Sequence, residues 1–300
     1  MKVTILGNNS ALPAFGRHPS AQAVSVWGEV LLIDCGEGAQ VQMQRYGIKW
    51  RNIWHIFISH MHGDHYFGLP GLINSMSLLG RVAPLHVYAP LELQEILDKI
   101  LQVADTKLSY ELHFHPLPSE SSVLVDNDKF SVTCFPVEHR IFCHGFLIER
   151  KTKGRKLLPE KCREYEIPAY FYERLKQGEN YEKQDGTVVK NEWVTTQGPS
   201  AKRYAYCADT IFTDSYLPFI KDVDTLYHEC TYLESDADKA AGRYHCTARQ
   251  AAEIASKANA KQLLLGHFSS KYRDLEPFKE EATPVFANVQ ITTEGTAYEI

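Results

Sequence analysis

Apolar positions in this chain fall into short runs separated by stretches of helical period. Val3–Leu6 reads as a strand, and Val24–Val26 and Val30–Ile33 read as two more, joined by a Trp27-Gly28-Glu29 turn. Past the turn Asp34-Cys35-Gly36-Glu37-Gly38, a helical pattern runs to about Arg45. The run 53–58 predicts a buried strand, 68–80 a helix, 85–88 a strand and 91–104 a helix. Three β-rich stretches follow at 121–125, 130–137 and 145–149. Segment 150–200 then breaks the rhythm. It is charged, rich in tyrosine and weakly periodic, with helical hints only at 159–164 and 168–177, and it reads as an insertion. The rhythm resumes with strands Arg203–Cys207 and Thr225–His228, a helix over 247–258, and strands 262–265 and 289–291. Strands and helices mixed in this way predict a layered α/β or α+β domain.

Composition changes little in that picture. The apolar fraction of 44% over 300 residues supports a sizeable core, and no apolar stretch approaches the length of a membrane helix. No signal-peptide pattern is present, so the expectation is a soluble, cytoplasmic protein without a membrane partner. The seven cysteines are widely spaced and lack a C-x-x-C pair, which predicts small buried thiols rather than disulfides or a zinc ribbon. The net charge of −5 argues against a broad phosphate-binding surface. The charge is uneven, however. Arg150, Lys151, Lys153, Arg155 and Lys156 cluster without an acid, and 150–190 carries a net +4. On charge alone this is a solvated surface loop.

The densest chemistry lies in His60-Met61-His62-Gly63-Asp64-His65. Three imidazoles and a carboxylate in six residues cannot share one face of a helix or strand, so a tight loop is expected. Imidazole suits zinc and its neighbours, and a carboxylate can bridge two cations. A metal pair activates water and clamps both the attacking and the leaving oxygen of a phosphoryl displacement. The segment follows a buried strand, where α/β architectures place their sites. Two metals need further ligands, and three polar residues stand just beyond apolar β-runs: His139, Asp209 and His267. With His60, His62, Asp64 and His65 they make seven. His113 and His115 are also metal-capable, but no acid or apolar run frames them, and they read as surface residues. Neither a G-x-x-x-x-G-K-[ST] loop nor a G-x-S-x-G elbow is present.

The spacing His60-x-His62-x-Asp64-His65 with a later His, Asp and His resembles the metallo-β-lactamase superfamily. Within it, Phe57–Leu72 closely resembles the ribonuclease Z family of tRNA 3′-processing endonucleases. So do Leu32–Gly38, Ala208-Asp209-Thr210, His228-Glu229-Cys230-Thr231, His245-Cys246-Thr247 and Gly266–Tyr272. The resemblance implies a four-layer αββα sandwich over 1–300, with 150–200 as an inserted tRNA-binding arm. It implies two zinc ions per subunit, although manganese or iron also suit such ligands. His60, His62 and His139 would hold one, Asp64, His65 and His267 the other, with Asp209 bridging. Asp64 would orient the attacking water. His245, aimed by Glu229, would protonate the leaving 3′-oxygen. Asp34 would steady a ligating imidazole or cap its turn. The arm's basic cluster, Arg150, Lys151, Lys153, Arg155 and Lys156, would contact phosphates. The implied function is removal of the 3′ trailer from precursor tRNA by a homodimer, leaving a 3′-hydroxyl. The alternative is a metal-dependent phosphodiesterase of the same fold acting on a small molecule or another nucleic acid. The chain departs from the family pattern in two places, Pro13-Ala14-Phe15-Gly16-Arg17-His18 and Ile167-Pro168-Ala169, both outside the ligand set.

Overall fold

Strand order explains why the apolar runs are so continuous. In a computed structural model, which describes residues 1–152 and 154–300, nine strands precede the insertion. They are β1 (Lys2–Gly7), β2 (Ala21–Val26), β3 (Glu29–Cys35), β4 (Ile53–Phe57), β5 (Leu85–Ala89), β6 (Leu112–Pro116), β7 (Ser122–Asp126), β8 (Phe130–Pro136) and β9 (His144–Arg150). The insertion holds four two-residue strands: β10 (Lys156–Leu157), β11 (Tyr181–Glu182), β12 (Val188–Val189) and β13 (Thr195–Thr196). After it come β14 (Lys202–Cys207), β15 (Thr225–Glu229), β16 (Leu263–Gly266), β17 (Val289–Ile291) and β18 (Ala297–Glu299).

Two seven-stranded sheets result, ordered β18-β1-β2-β3-β4-β5-β6 and β17-β16-β15-β14-β9-β8-β7. The pairs from β3 to β6 and from β14 to β17 are parallel, and parallel strands are covered on both faces. One core lies between the sheets, where Ile5, Leu31, Ile33 and Phe57 meet Phe130, Phe146, Tyr204 and Tyr227. On its outer face the first sheet packs Leu32, Ile56 and Val87 against the helices Leu69–Leu78 and Glu92–Val103. The second sheet is covered by the helix Ala248–Lys257 through Ala251, Ala252 and Ile254. A Thr247–Gln250 capping box starts that helix by satisfying its first free amides. The layers run helix, sheet, sheet, helix: an αββα sandwich.

The chain separates into two compact units, residues 1–149 with 202–300, and residues 150–201. The second has its own small core of Cys162, Ile167, Phe171, Leu175, Val189 and Val194. Tyr165 and Tyr172 pack against that core, while Tyr170 is 79% exposed. The helical pattern at 168–177 is broken there into a 3-10 turn, Ala169–Phe171, and a short helix, Tyr172–Lys176. All seven cysteines are free and buried. Among the described residues, no helix is long and apolar enough to cross a membrane.

His113 and His115 are not simple surface residues. They lie in β6, in register with His86 and Tyr88 of β5, and His86 is in register with His55 of β4. The rings stack across the strands, His55 on His86 at 5.3 Å and His86 on His113 at 4.8 Å, and His86 Nδ1 lies 3.0 Å from His115 Nε2. Burial, then the neighbouring charge of His86 and His115, pulls His55 down from 6.5 to about 4. A group neutral in the fold but basic when unfolded lets the unfolded state bind the extra proton. Stability from His55 is therefore complete above about pH 6.5 and lost as pH falls toward 4, by an amount on the order of 1–3 kcal/mol. The midpoint of thermal unfolding should fall less steeply between pH 7 and 5 in His55→Phe than in the parent chain. Parallel curves would mean that His55 titrates freely.

Candidate metal centre

Strand ends at one edge of the sandwich deliver the ligands. β4 ends at Phe57, and two and three residues later Ser59 and His60 are fully buried. The ligand segment is not a loop throughout, as its composition suggested: Gly63–Tyr66 forms one helical turn carrying Asp64 and His65. Glycine packs this turn onto the end of β3. A Cβ on Gly36 would come within 2.5 Å of the Asp64 carbonyl oxygen, and one on Gly68 within 2.2 Å of the Gly36 carbonyl oxygen. His139 follows β8, Asp209 follows β14 and His267 follows β16. Asp34 and His267 both hold left-handed backbones, φ 53 and 60, a cost that non-glycine residues bear mainly at functional sites.

Two groups form. His60, His62, His139 and Asp209 converge in one, and Asp64, His65 and His267 in the other, each able to present ligand atoms within 4.8 Å of one another. In the first, His60 Nε2 lies 3.0 Å from His62 Nδ1, which lies 3.2 Å from His139 Nε2. Two of the remaining nitrogens are already engaged. His60 Nδ1 meets Ser59 Oγ at 3.0 Å, and His139 Nδ1 donates to the Tyr244 carbonyl at 3.0 Å. In the second, His65 Nδ1 donates to Asp34 Oδ2 at 2.7 Å and His267 Nδ1 to Thr231 Oγ1 at 2.9 Å. Their Nε2 atoms then face each other at 3.3 Å. Imidazoles tied at one nitrogen aim lone pairs from the other, and lone pairs this close repel unless a cation sits among them.

Asp209 lies against both groups. Its Oδ2 is 3.6 Å from His60 Nε2, and its Oδ1 is 3.1 Å from His267 Nε2 and 3.5 Å from His65 Nε2. Although buried, Oδ1 makes no hydrogen bond among the described residues. A buried carboxylate oxygen without a donor, set between converging imidazoles, suits a bridging metal ligand. Electrostatics agree. Burial first, and then neighbouring imidazoles, keeps His60, His62 and His139 below the ordinary histidine value and thus neutral, the ligating form. At His65 burial acts the same way, but Asp209, Asp34 and Asp64 outweigh it and push the ring up to about 10. That corner calls for positive charge, which a cation supplies. The donor set therefore fits two divalent metals.

Asp34 is a strand residue of β3 rather than a turn residue. Its Oδ1 accepts from the Ser59 amide at 2.8 Å, and its Oδ2 accepts from Ser59 Oγ, Tyr206 Oη and His65. This fixes the His65 tautomer. Tyr206, Ser59 and Thr231 had no role assigned from sequence. Thr231 stands within the quoted H-E-C-T box and Ser59 directly before His60, whereas nothing in the sequence marks Tyr206.

Beside the two ligand groups sits a second pair of side chains. His245 Nδ1 donates to Glu229 Oε1 at 3.0 Å. The Glu229 carboxylate is fully buried, yet it also accepts from the amides of Thr210, Cys246 and Thr231 and from Thr231 Oγ1. Burial opposes its ionisation, but His245, through its charge and its hydrogen bond, holds it below the usual range. Burial disfavours the charged imidazole, but Glu229 and then Asp209 and Asp64 raise His245 above 6.5. His245 also lies close enough to Asp209 and His267 to share a cation with them.

The basic cluster belongs to the separate unit. Arg150 Nη2 donates to the Ser200 carbonyl and Arg155 Nε to Thr195 Oγ1, each at 2.7 Å. Lys156 is exposed and Lys151 half-buried, while Lys153 lies outside the described residues.

Comparison with solved structures places this arrangement in the metallo-β-lactamase fold. Human tRNase Z, short form, superimposes with a TM-score of 0.73 at 27% identity, covering 100% of this chain and 99% of that one. A metallo-β-lactamase fold protein from Bacillus subtilis gives 0.69 at 20% identity, covering 99% of each. The sequence model for Anti-Pycsar protein Apyc1 matches residues 1–153, the half that ends before Asp209, His245 and His267. Relatives extend over nearly the whole chain. Ribonuclease Z of Parabacteroides distasonis is 41% identical over 98% of this chain and 97% of its own. Ribonuclease Z of Cytophaga hutchinsonii is 43% identical over 98% and 94%. The chain belongs to the ribonuclease Z family and is a hydrolase of the endoribonuclease class.

Proposed function

We propose that this protein is a zinc-dependent endoribonuclease that cleaves precursor tRNA on the 3′ side, releasing the trailer and leaving a 3′-hydroxyl. The observation that carries the reading is the pairing of two ligand groups across Asp209 with a carboxylate-oriented imidazole, His245, beside them. His60, His62 and His139 would hold one metal and Asp64, His65 and His267 the other, with Asp209 shared. Manganese or iron would also suit these ligands. When bound, such a pair supplies an acidified water and neutralises charge at the phosphate.

The chain's own residues do the rest. Asp64 accepts from the Ala11 amide through Oδ2 at 2.7 Å, which fixes its carboxylate to orient the attacking water. Asp34 and Thr231 hold His65 and His267 in the tautomers that leave Nε2 open. His245, its proton affinity raised by Glu229, would give a proton to the leaving 3′-oxygen, while Glu229 keeps the ring aimed. Arg150, Lys151, Lys153, Arg155 and Lys156 would bind tRNA phosphates, an attraction that weakens with salt. A cytoplasmic homodimer is the assembly this reading carries.

The test uses zinc-loaded protein, a trailer-bearing precursor tRNA and a small aryl phosphodiester, each with the full chain and with 150–201 replaced by a short linker. The full chain should cut the RNA once, after the discriminator base. Removal of the insertion should lower kcat/KM for RNA by roughly 10²-fold or more, in line with losing several phosphate contacts, while the aryl ester is turned over as before. Turnover of the ester alone by the full chain would favour the small-molecule phosphodiesterase instead. Equal loss on both substrates would remove the insertion's separate RNA role.

A further inference from the structure

Ser59 stands between the two ligand groups. It is fully buried, and its Oγ lies 3.0 Å from Nδ1 of His60, in the first group, and 3.4 Å from Nδ1 of His65, in the second. The same oxygen is 3.0 Å from Asp34 Oδ2. Asp34 is buried too, and its Oδ2 also accepts from the Tyr206 hydroxyl at 2.6 Å and from His65 Nδ1 at 2.7 Å. The Ser59 backbone amide, donating to Asp34 Oδ1 at 2.8 Å, keeps the two side chains in register. A hydroxyl has one proton and two lone pairs, and a neutral imidazole has one N–H and one acceptor nitrogen. The Ser59 proton can therefore go to His60 or to Asp34, which lie at equal distance. Given to His60 Nδ1, it leaves that ring's own proton on Nε2, the atom that faces His62 and would hold the metal. Given to Asp34, it leaves the Ser59 lone pairs to the Nδ1–H groups of His60 and His65, and both Nε2 atoms stand open.

We propose that Ser59 is a positioning residue whose hydroxyl couples the two ligand groups, so that an ion bound in one raises the affinity of the other. The inference rests on the two-metal centre proposed above. A cation in either group requires the same direction of the hydroxyl, with its proton on Asp34. The first ion turns the hydroxyl, and the second finds it turned. Linkage makes the effect reciprocal, whichever group fills first. Asp209 joins the groups on the side of the cations, whereas Ser59 joins them from behind the rings, so the two couplings can be removed separately. Tyr206 acts on the Asp34 carboxylate and leaves the Ser59 bridge in place.

The experiment titrates zinc into the metal-free parent chain, Ser59→Ala and Tyr206→Phe against a chromophoric chelator and reads the two stepwise affinities. Ser59→Ala removes one oxygen and keeps the backbone amide on Asp34, so its metal-free unfolding midpoint should stay close to the parent's. The ratio of second to first affinity should fall about 10-fold in Ser59→Ala, while Tyr206→Phe keeps the parent's ratio. Proton NMR of the parent gives a reading that needs no variant: the Nδ1 protons of His60 and His65 should sharpen together as zinc is added. An unchanged ratio in Ser59→Ala, an equal fall in Tyr206→Phe, or Nδ1 protons that sharpen one after the other would overturn the coupling and leave the metal centre standing. A parent chain that binds fewer than two zinc ions would remove the two-metal reading itself, and the coupling with it.

Discussion

Asp209→Ala should empty the proposed metal centre. Zinc measured after gel filtration should fall to less than half of the parent's content, and kcat/KM on precursor tRNA should drop by roughly 10³-fold or more, the rate equivalent of the several kcal/mol a metal pair supplies. Geometry sets the size of the effect. One carboxylate stands 3.6 Å from His60 in the first group and 3.1 Å from His267 in the second, so its loss weakens both at once. Its Oδ1 lacks a hydrogen bond among the described residues, so no other interaction compensates for the loss of that charge. Asp209 is itself held far below the usual carboxylate range. Burial opposes its ionisation, but His267, His65 and His60 around it prevail. Without it, Asp64 Oδ2, 3.6 Å from His65 Nε2 and 3.5 Å from His267 Nε2, still serves the second group, but His60 loses its carboxylate partner. Retention of the full zinc content by Asp209→Ala would show that the two groups bind metal independently. His113→Ala, in the ring stack on β6, serves as the control and should change neither quantity.

The ligand set was legible because it is a local property of strand ends. Each of His60, His139, Asp209 and His267 follows an apolar run, and a strand's end is where a polar side chain can reach an edge of the sandwich. What holds the ligands was harder to read, because it comes from far away in sequence. Tyr206 reaches Asp34 across 172 positions, from the opposite sheet, and no local pattern marks a tyrosine for that contact. Asp34 looked like a turn residue because Gly36 and Gly38 follow it, yet it is the penultimate residue of β3, in a left-handed backbone. His113 and His115 showed the period of a strand, but their partners His86 and Tyr88 sit on a neighbouring strand that one-dimensional spacing cannot reveal. The four strands of the insertion are two residues long each, too short to display any period. The three-residue strand Ala297–Glu299 escaped for the same reason.

His245→Ala should separate metal binding from proton transfer. The variant should keep the parent's zinc content and lose about 10²–10⁴-fold in kcat on precursor tRNA, the usual contribution of a positioned general acid. The loss should be smaller on an aryl ester, whose phenolate leaves without a proton, whereas a ribose 3′-oxygen cannot. This contrast comes from the leaving group alone. The same reasoning ranks Glu229→Gln below it. The amide can still accept from His245, but it no longer raises that ring's proton affinity, and the buried amides of Thr210 and Cys246 lose a charged acceptor. The parent's rate should fall on the alkaline side as pH rises through the raised His245 value, since the protonated ring is the active form below it. In Glu229→Gln that limb should shift to lower pH. Loss of zinc from His245→Ala would instead make His245 a ligand with Asp209 and His267, the third grouping their positions allow. Zinc content and the ratio of the two substrates' losses, measured on one preparation, distinguish these outcomes.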